Sequence, residues 1–275
     1  MKSTLTIYSL ILSIACCSNA SAFDFLTSRG NGLGQTFLLS QPSASTVLLV
    51  PTGGLTDGAT VVELGVNRKF EIKDLDQGYL AAAYRRNSFT YALGFTQFGN
   101  GDLYAERTAR LAAAYHYSAF AFSGNVSAMQ VDFGGHYDNL SAIALGLGVG
   151  YRRNRIMAGL SVENLNSPRL DKHSEEIPPR LTIHAELVGP GPYSVTGRLA
   201  AQKREKPQFG AGQFVDISSF GSLFWGVSTG PLIYGAGVEL SHKRSIITYA
   251  TSYHPTLGFS HTLSVSFALG KQPPE

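Results

Sequence analysis

Bulky and small side chains alternate with a period of two along most of this chain. Residues 259–269 set Phe259, His261, Leu263, Val265, Phe267 and Leu269 against Ser260, Thr262, Ser264, Ser266 and Ala268. Neighbouring side chains of a strand point to opposite faces, so one face here is apolar and the other small and mostly polar. Residues 143–151 repeat the design, with Ile143, Leu145, Leu147, Val149 and Tyr151 against Ala144, Gly146, Gly148 and Gly150. A strand of about ten residues, tilted, crosses the hydrocarbon core of a bilayer.

The pattern predicts fourteen strands, centred on residues 60–66, 78–84, 89–96, 107–116, 120–131, 141–151, 156–163, 180–187, 193–201, 209–217, 222–228, 232–241, 246–252 and 259–269. Merging of the two weaker stretches between Gln213 and Ser228 would leave twelve. Connections after even-numbered strands are short: Arg85-Arg86-Asn87, Tyr117-Ser118-Ala119, Arg152-Arg153-Asn154, Gly189 to Pro192, and His242-Lys243-Arg244. Those after odd-numbered strands are mostly longer, notably 67–77, 132–140 and 164–179. Short turns at one rim and long loops at the other fit an up-and-down antiparallel transmembrane β-barrel, an all-β fold, and not a Greek-key sandwich. No run of about 18 apolar residues follows residue 22, and no helical periodicity is visible.

Residues 1–22 read as a signal peptide: Lys2, a mainly apolar run from Leu5 to Cys17, then Asn19-Ala20-Ser21-Ala22 before the expected cleavage. Lipidation at Cys16 or Cys17 is the alternative, against which stand Ser13 and Cys16 at positions where a lipobox wants an aliphatic and a small residue. Both cysteines lie in this leader, so no disulfide or thiolate site is expected in the mature chain. The 22 basic and 19 acidic residues nearly balance, which gives no footprint for nucleic acid, and the 30 glycines suit closely packed strands. Residues 23–58 break the barrel rhythm and read as a plug or periplasmic arm, with an ordinary extra strand as the alternative. The barrel then spans 59–269, followed by a polar tail, 270–275.

The order of these pieces resembles the FadL-like outer-membrane barrels, especially the PorV/PorQ group associated with type IX secretion. Val50-Pro51-Thr52-Gly53-Gly54-Leu55 stands where that group has a motif like Asn-Pro-Ala-Gly-Leu, with Val50 in place of the Asn and one residue more. Gly148 to Tyr151, Met157 to Leu165 and Ile177 to Arg180 look like its strand–turn–strand unit, and Tyr253 to His261 like its closing hairpin. The resemblance implies a structural role for Pro51, Gly53, Gly54 and Leu55. It also implies an outer-membrane location, and partners among membrane lipid, secretion components, exported cargo or a hydrophobic ligand. The chain is short for that group, and its last strand is followed by a polar tail.

Candidate chemistry is sparse. His116 and Ser118, two apart, are expected to share a lumen-facing strand face beside a short turn, where an imidazole could deprotonate a hydroxyl. No third group to orient the His is identifiable, and acyl hydrolysis is the least favoured reading. The remaining histidines, among them His136 beside Asp138 and His173 near Glu175 and Glu176, lack metal-ligand spacing. Neither cofactor nor metal is expected, and the chain is not read as an enzyme. Arg110, Glu163, Glu186, Arg198 and Glu239 fall on inward positions, where they could line a channel or form an internal salt-bridge net. The reading is a monomeric outer-membrane barrel handling exported proteins or hydrophobic small molecules, with a passive or structural small-pore barrel as the alternative.

Overall fold

A computed structural model describes residues 27–50, 55–100, 104–134, 139–172 and 174–269. The leader with Cys16 and Cys17, Pro51, Gly53 and Gly54, His136 and Asp138, His173 and the polar tail lie outside the described residues.

Alternation becomes strand wherever it was expected. The strands are β1 (Thr60–Arg68), β2 (Asp76–Arg86), β3 (Phe89–Asn100), β4 (Tyr104–Tyr117), β5 (Phe120–Phe133), β6 (Leu140–Arg153) and β7 (Ile156–Glu163). The second half comprises β8 (Arg180–Val188), β9 (Tyr193–Gln202), β10 (Gln208–Ser218), β11 (Gly221–Ser228), β12 (Ile233–His242), β13 (Ser245–His254) and β14 (Gly258–Leu269). Each pairs antiparallel with the next, and β14 returns to β1 from Thr60↔Leu269 to Arg68↔His261, closing a fourteen-stranded barrel. Closure pairs backbone groups around the whole circumference, which a sheet in lipid requires.

The hairpins at the short-turn rim are tighter than the sequence suggests. Ladder pairs continue to Arg86↔Phe89, Tyr117↔Phe120, Arg153↔Ile156 and His242↔Ser245, leaving two-residue loops. The first loop residue takes a positive φ in each: Asn87 53°, Ser118 54°, Asn154 52° and Lys243 52°. Such backbone matches strand twist in two-residue hairpins. It also corrects the expected His116–Ser118 pairing. β4 ends at Tyr117, so Ser118 leaves the strand alternation and is exposed in the turn.

The outer face is apolar around the circumference, including Leu64, Leu93, Leu111, Leu145, Ile183, Trp225 and Leu263. Cross-strand aromatic pairs mark both ends. Phe89–Tyr115 and Phe120–Tyr151, with ring centroids 5.1 and 5.3 Å apart, lie near the short turns. Tyr104–Phe133 and Tyr253–Phe259, at 5.5 and 4.9 Å, lie near the long loops. An apolar band between aromatic girdles is the exterior of a lipid-embedded barrel.

One stretch of the wall is finished by a side chain. β7 pairs with β6 only between Leu147↔Val162 and Arg153↔Ile156, so the upper edge of β6 lacks a strand partner on that side. Asn166 covers it: its Oδ1 accepts from the Leu145 N–H at 3.0 Å and its Nδ2 donates to the Ile143 carbonyl at 2.8 Å. Leu165 N–H adds a bond to the Leu145 carbonyl at 2.8 Å.

Residues 27–50 run through the barrel interior and contain two one-turn helices, α1 (Ser28–Gly32) and α2 (Ala44–Leu49). Neither is long enough to show a 3.6-residue period, so the sequence displayed no helical signal. Each is locally capped: Thr27 Oγ1 accepts from the Gly30 N–H at 2.9 Å, and Ser43 Oγ from the Thr46 N–H at 3.2 Å. α2 stops at Val50, which precedes Pro51 in the sequence and is thereby steered to extended backbone.

Candidate functional site

Three inward-facing carboxylates hold the inner segment. Glu63 on β1 accepts from Ser43 Oγ at 2.9 Å, Ser45 Oγ at 2.7 Å and the Tyr79 hydroxyl at 2.8 Å. Glu186 on β8 accepts from the Leu39 N–H, from the Ser40 N–H at 2.9 Å and from Ser40 Oγ at 2.5 Å. Glu239 on β12 receives both Nε and Nη2 of Arg29, at 2.6 and 2.7 Å, and the Thr248 hydroxyl at 3.1 Å. All three are buried, and each catches a different part of the segment. Arg198 Nη1 donates to Gln35 Oε1 at 3.1 Å, while Asn31 bonds Thr262 at 2.7 Å and Ser252 at 2.9 Å.

Packing reinforces these bonds. Leu33 and Leu38 bury against Phe214, Phe224 and Ala250. Val47 and Leu48 of α2 bury against Val61, Tyr79, Ala81 and Ala83 of β1 and β2. Withdrawing one such leucine into water costs about 1.5–3 kcal/mol. Along β10 to β12 the segment's backbone presses directly on the wall. A Cβ at Gly226 would lie 2.2 Å from the Leu33 carbonyl carbon, and one at Gly235 would lie 2.5 Å from the Asn31 and Gly32 oxygens. Only glycine admits this approach.

The facing sector differs. On β5 and β6 the mid-strand inward positions include Ser123, Asn125, Gly146 and Gly148, with Met129 and Val131 inward toward the long-loop end. The atoms nearest a Cβ at Gly146 belong to the Asn125 side chain, and those nearest one at Gly148 to Ser123, Leu160 and Ser161. These are wall atoms, none from the inner segment. Across this sector Arg110 on β4 donates to Ser127 Oγ on β5 at 2.9 Å and to Glu163 on β7 at 2.7 Å. The pair thus bars the inner face of β5 and β6, where Ala144 and Gly146 leave room for it.

Below that bar, at the short-turn end, a cavity of ≈ 240 Å³ is lined by Arg85, His116, Ser118, Ala121, Gly150 and Arg152, among others. His116 Nε2 bonds Thr90 Oγ1 at 2.9 Å, so the side chain that suggested catalysis is engaged with the wall rather than with Ser118.

The five inward residues singled out from sequence therefore do not form one continuous net. Arg110 and Glu163 meet each other, while Glu186, Arg198 and Glu239 each meet the inner segment, because the segment lies between their strands. Leu55, the described part of the Pro51–Leu55 motif, is buried, and its carbonyl accepts from Arg85 Nη1 at 2.7 Å. Sequence reasoning missed Glu63, although it faces inward on β1 opposite in phase to Leu64 and Val66. It also missed Arg29, Asn31 and Gln35, which lie outside the strand pattern. Among the described residues no cluster of three or more His, Cys, Asp or Glu side chains could hold a metal ion.

No protein-family profile matches the chain, and no curated protein matches it. Solved structures do. The Pseudomonas putida toluene transporter TodX aligns over 90% of this chain and 99% of its own at TM-score 0.66 and 11% identity. The CymD monoaromatic hydrocarbon channel aligns over 90% and 98% at TM-score 0.64 and 12% identity. A Pseudomonas aeruginosa FadL homologue aligns over 89% and 98% at TM-score 0.60 and 8% identity. The architecture is that of the FadL-like transmembrane barrels. At these identities the likeness establishes the fold.

Proposed function

We propose that this chain is a plugged outer-membrane barrel of FadL-like type that passes hydrophobic small molecules through its lumen. Residues 27–50 act as the plug, and the β5–β6 sector is the route beside it. The observation that carries this reading is the asymmetry of the inner segment: its polar contacts go to β8–β14 and β1–β2, its apolar side chains also reach Ala92 of β3, Ala112 of β4 and Met157 of β7, and the mid-strand glycines of β6 are faced only by wall atoms. Ala121, Ala144, Gly146 and Gly148 offer an apolar body a lining of small groups, with Ser123 and Asn125 beside them. The hydrocarbon roles of the structurally similar channels favour the same cargo class. In this reading residues 1–22 direct export, the short turns face the periplasm and Arg110–Glu163 is a barrier within the route.

Handling of exported proteins, as in type IX secretion, is the finer reading that the Pro51–Leu55 and closing-hairpin motifs support. The deciding experiment is purification from the outer membrane followed by mass spectrometry of what accompanies the protein. A bound apolar small molecule is the expected result, together with little steady current in planar bilayers. Stoichiometric exported polypeptide would move the assignment to secretion. Sustained conductance with nothing bound would overturn the plugged-transporter reading in favour of a passive pore.

A further inference from the structure

In the deep lumen Arg29 lies on Glu239 at 2.6 Å and Arg110 on Glu163 at 2.7 Å, while Arg198 bonds Gln35. The arginines of the short-turn mouth are less well provided for. Arg85 and Arg152 both line the ≈ 240 Å³ cavity there, and Arg152 lies near enough for its charge to act on Arg85. Arg85 uses Nη1 on the Leu55 carbonyl, but its Nε is buried with no hydrogen-bond partner. The Arg152 backbone N–H donates to the Ala119 carbonyl at 2.7 Å, but its guanidinium has no hydrogen bond or ion pair among the described residues. The acidic neighbour that acts on Arg85 is Asp57, whose Oδ1 accepts from the Asn87 N–H at 2.5 Å. His116, fixed through Nε2 to Thr90, and the turn residue Ser118 also line it. Two like charges converging on one cavity repel, and an unbonded buried guanidinium N–H is costly. A tetrahedral oxyanion would relieve both at once: it carries up to two negative charges and offers acceptors in several directions, which suits paired guanidiniums.

We propose that Arg85, Arg152 and His116 form an oxyanion site on the inner face of the short-turn mouth, shaped for the phosphate group of a small soluble solute. The site needs only the fold, so it is independent of what the lumen transports. At the volume of the cavity the phosphate is the bound part, and any substituent extends into the lumen.

The test is calorimetric titration of the full-length purified protein in a non-ionic detergent with inorganic phosphate, and separately with acetate. Wild type should bind phosphate saturably and more tightly than acetate. Arg152→Gln should weaken phosphate binding by about tenfold or more, since a charge-assisted contact is lost. This change removes no bond present in the fold. His116→Gln, which can keep the contact with Thr90, should weaken binding by a smaller factor. Arg153→Gln, on the opposite face of β6 at the same rim, should leave it unchanged. Absence of phosphate binding in wild type, or equal losses in Arg152→Gln and Arg153→Gln, would overturn the site. A second arm separates the sources of phosphate: the wild type is titrated with phosphate after transfer to nanodiscs containing phosphatidylglycerol. Unchanged affinity supports a solute site in the lumen. Full competition by the lipid would place the cations at the lipid surface and reject the inward site.

Discussion

Two glycine-bearing walls of the same barrel do opposite things. On β10–β12, Gly226 and Gly235 exist so that another piece of backbone can lie against the sheet. On β6, the atoms nearest Gly146 and Gly148 all belong to adjoining strands and none to the inner segment. The two walls look alike in sequence, because each alternates glycine or alanine with a lipid-facing bulky residue. What separates them is the partner: the first wall is matched by the Gly32-Leu33-Gly34 stretch of the inner segment, and Gly34 takes a φ of 65° to make the approach. Closure of a lumen is thus local here. It depends on which sector the segment contacts, and the other sector keeps small groups at mid-strand, Met129 and Val131 toward the long-loop end, and the Arg110–Glu163 bar across it.

The comparison is broken most strongly through the charges. Glu239→Ala leaves Arg29 in the lumen without its bidentate partner, and removing one member of a buried pair costs about 3–5 kcal/mol. We expect a large fall in unfolding midpoint in detergent or lipid vesicles, and protease access to residues around Arg29. Glu163→Gln in the facing sector keeps a hydrogen-bond acceptor for Arg110, and Glu163 is the more exposed of the two carboxylates, at 21% against 3%. Its expected cost is smaller, but single-channel current should rise as the bar loosens. If Glu239→Ala alone raised current and Glu163→Gln did nothing, the route would lie along the segment and not along β5–β6.

Glycine replacements sharpen the same contrast at lower energy. Gly226→Ala forces the Leu33 carbonyl away from the wall, and overpacking of this kind costs about 1–3 kcal/mol. Gly146→Ala meets Asn125 Nδ2 and Oδ1, the free end of a side chain that can turn aside, so its cost should be well under that. Equilibrium unfolding of the two variants side by side checks the prediction. Equal destabilisation would mean that the β6 wall is packed as tightly as β11.

Much of the barrel was legible because a period of two is imposed by lipid outside and small groups inside, residue by residue. All fourteen strands stand where alternation placed them, including the weak tenth, whose Phe214 turns inward to stack on Phe224 at 6.2 Å. The interior was legible only as positions. Inward phase identifies Glu186 and Glu239, yet their partners Leu39, Ser40 and Arg29 lie on a segment without periodicity, about 150 and 210 residues away in the chain. Nothing in local pattern encodes such a pairing. His116 and Ser118 failed for a different reason: a two-residue hairpin turns the backbone at Ser118, and alternation ends one residue earlier than its spacing implies.

The smallest effect concerns how the open sector keeps its outer edge. β6 runs past β7, and at Ile143 and Leu145 the amide of Asn166 takes the place of the missing strand. A side-chain amide has the donor and acceptor of a peptide group, so it can continue a ladder by one rung. Asn166→Ala removes two bonds at an exposed position in the connection that follows β7, where water from the rim can replace them. The net cost should therefore be about 1–2 kcal/mol and not the larger penalty of unpaired groups in lipid. Hydrogen exchange locates it: the Leu145 amide should exchange faster in the variant, while amides of β10–β12 stay protected. Unchanged exchange at Leu145 would show that the Leu165 backbone contact alone seals this edge. Faster exchange through β5 as well would mean that the wall itself opens there, and that the β5–β6 sector is held together by one asparagine.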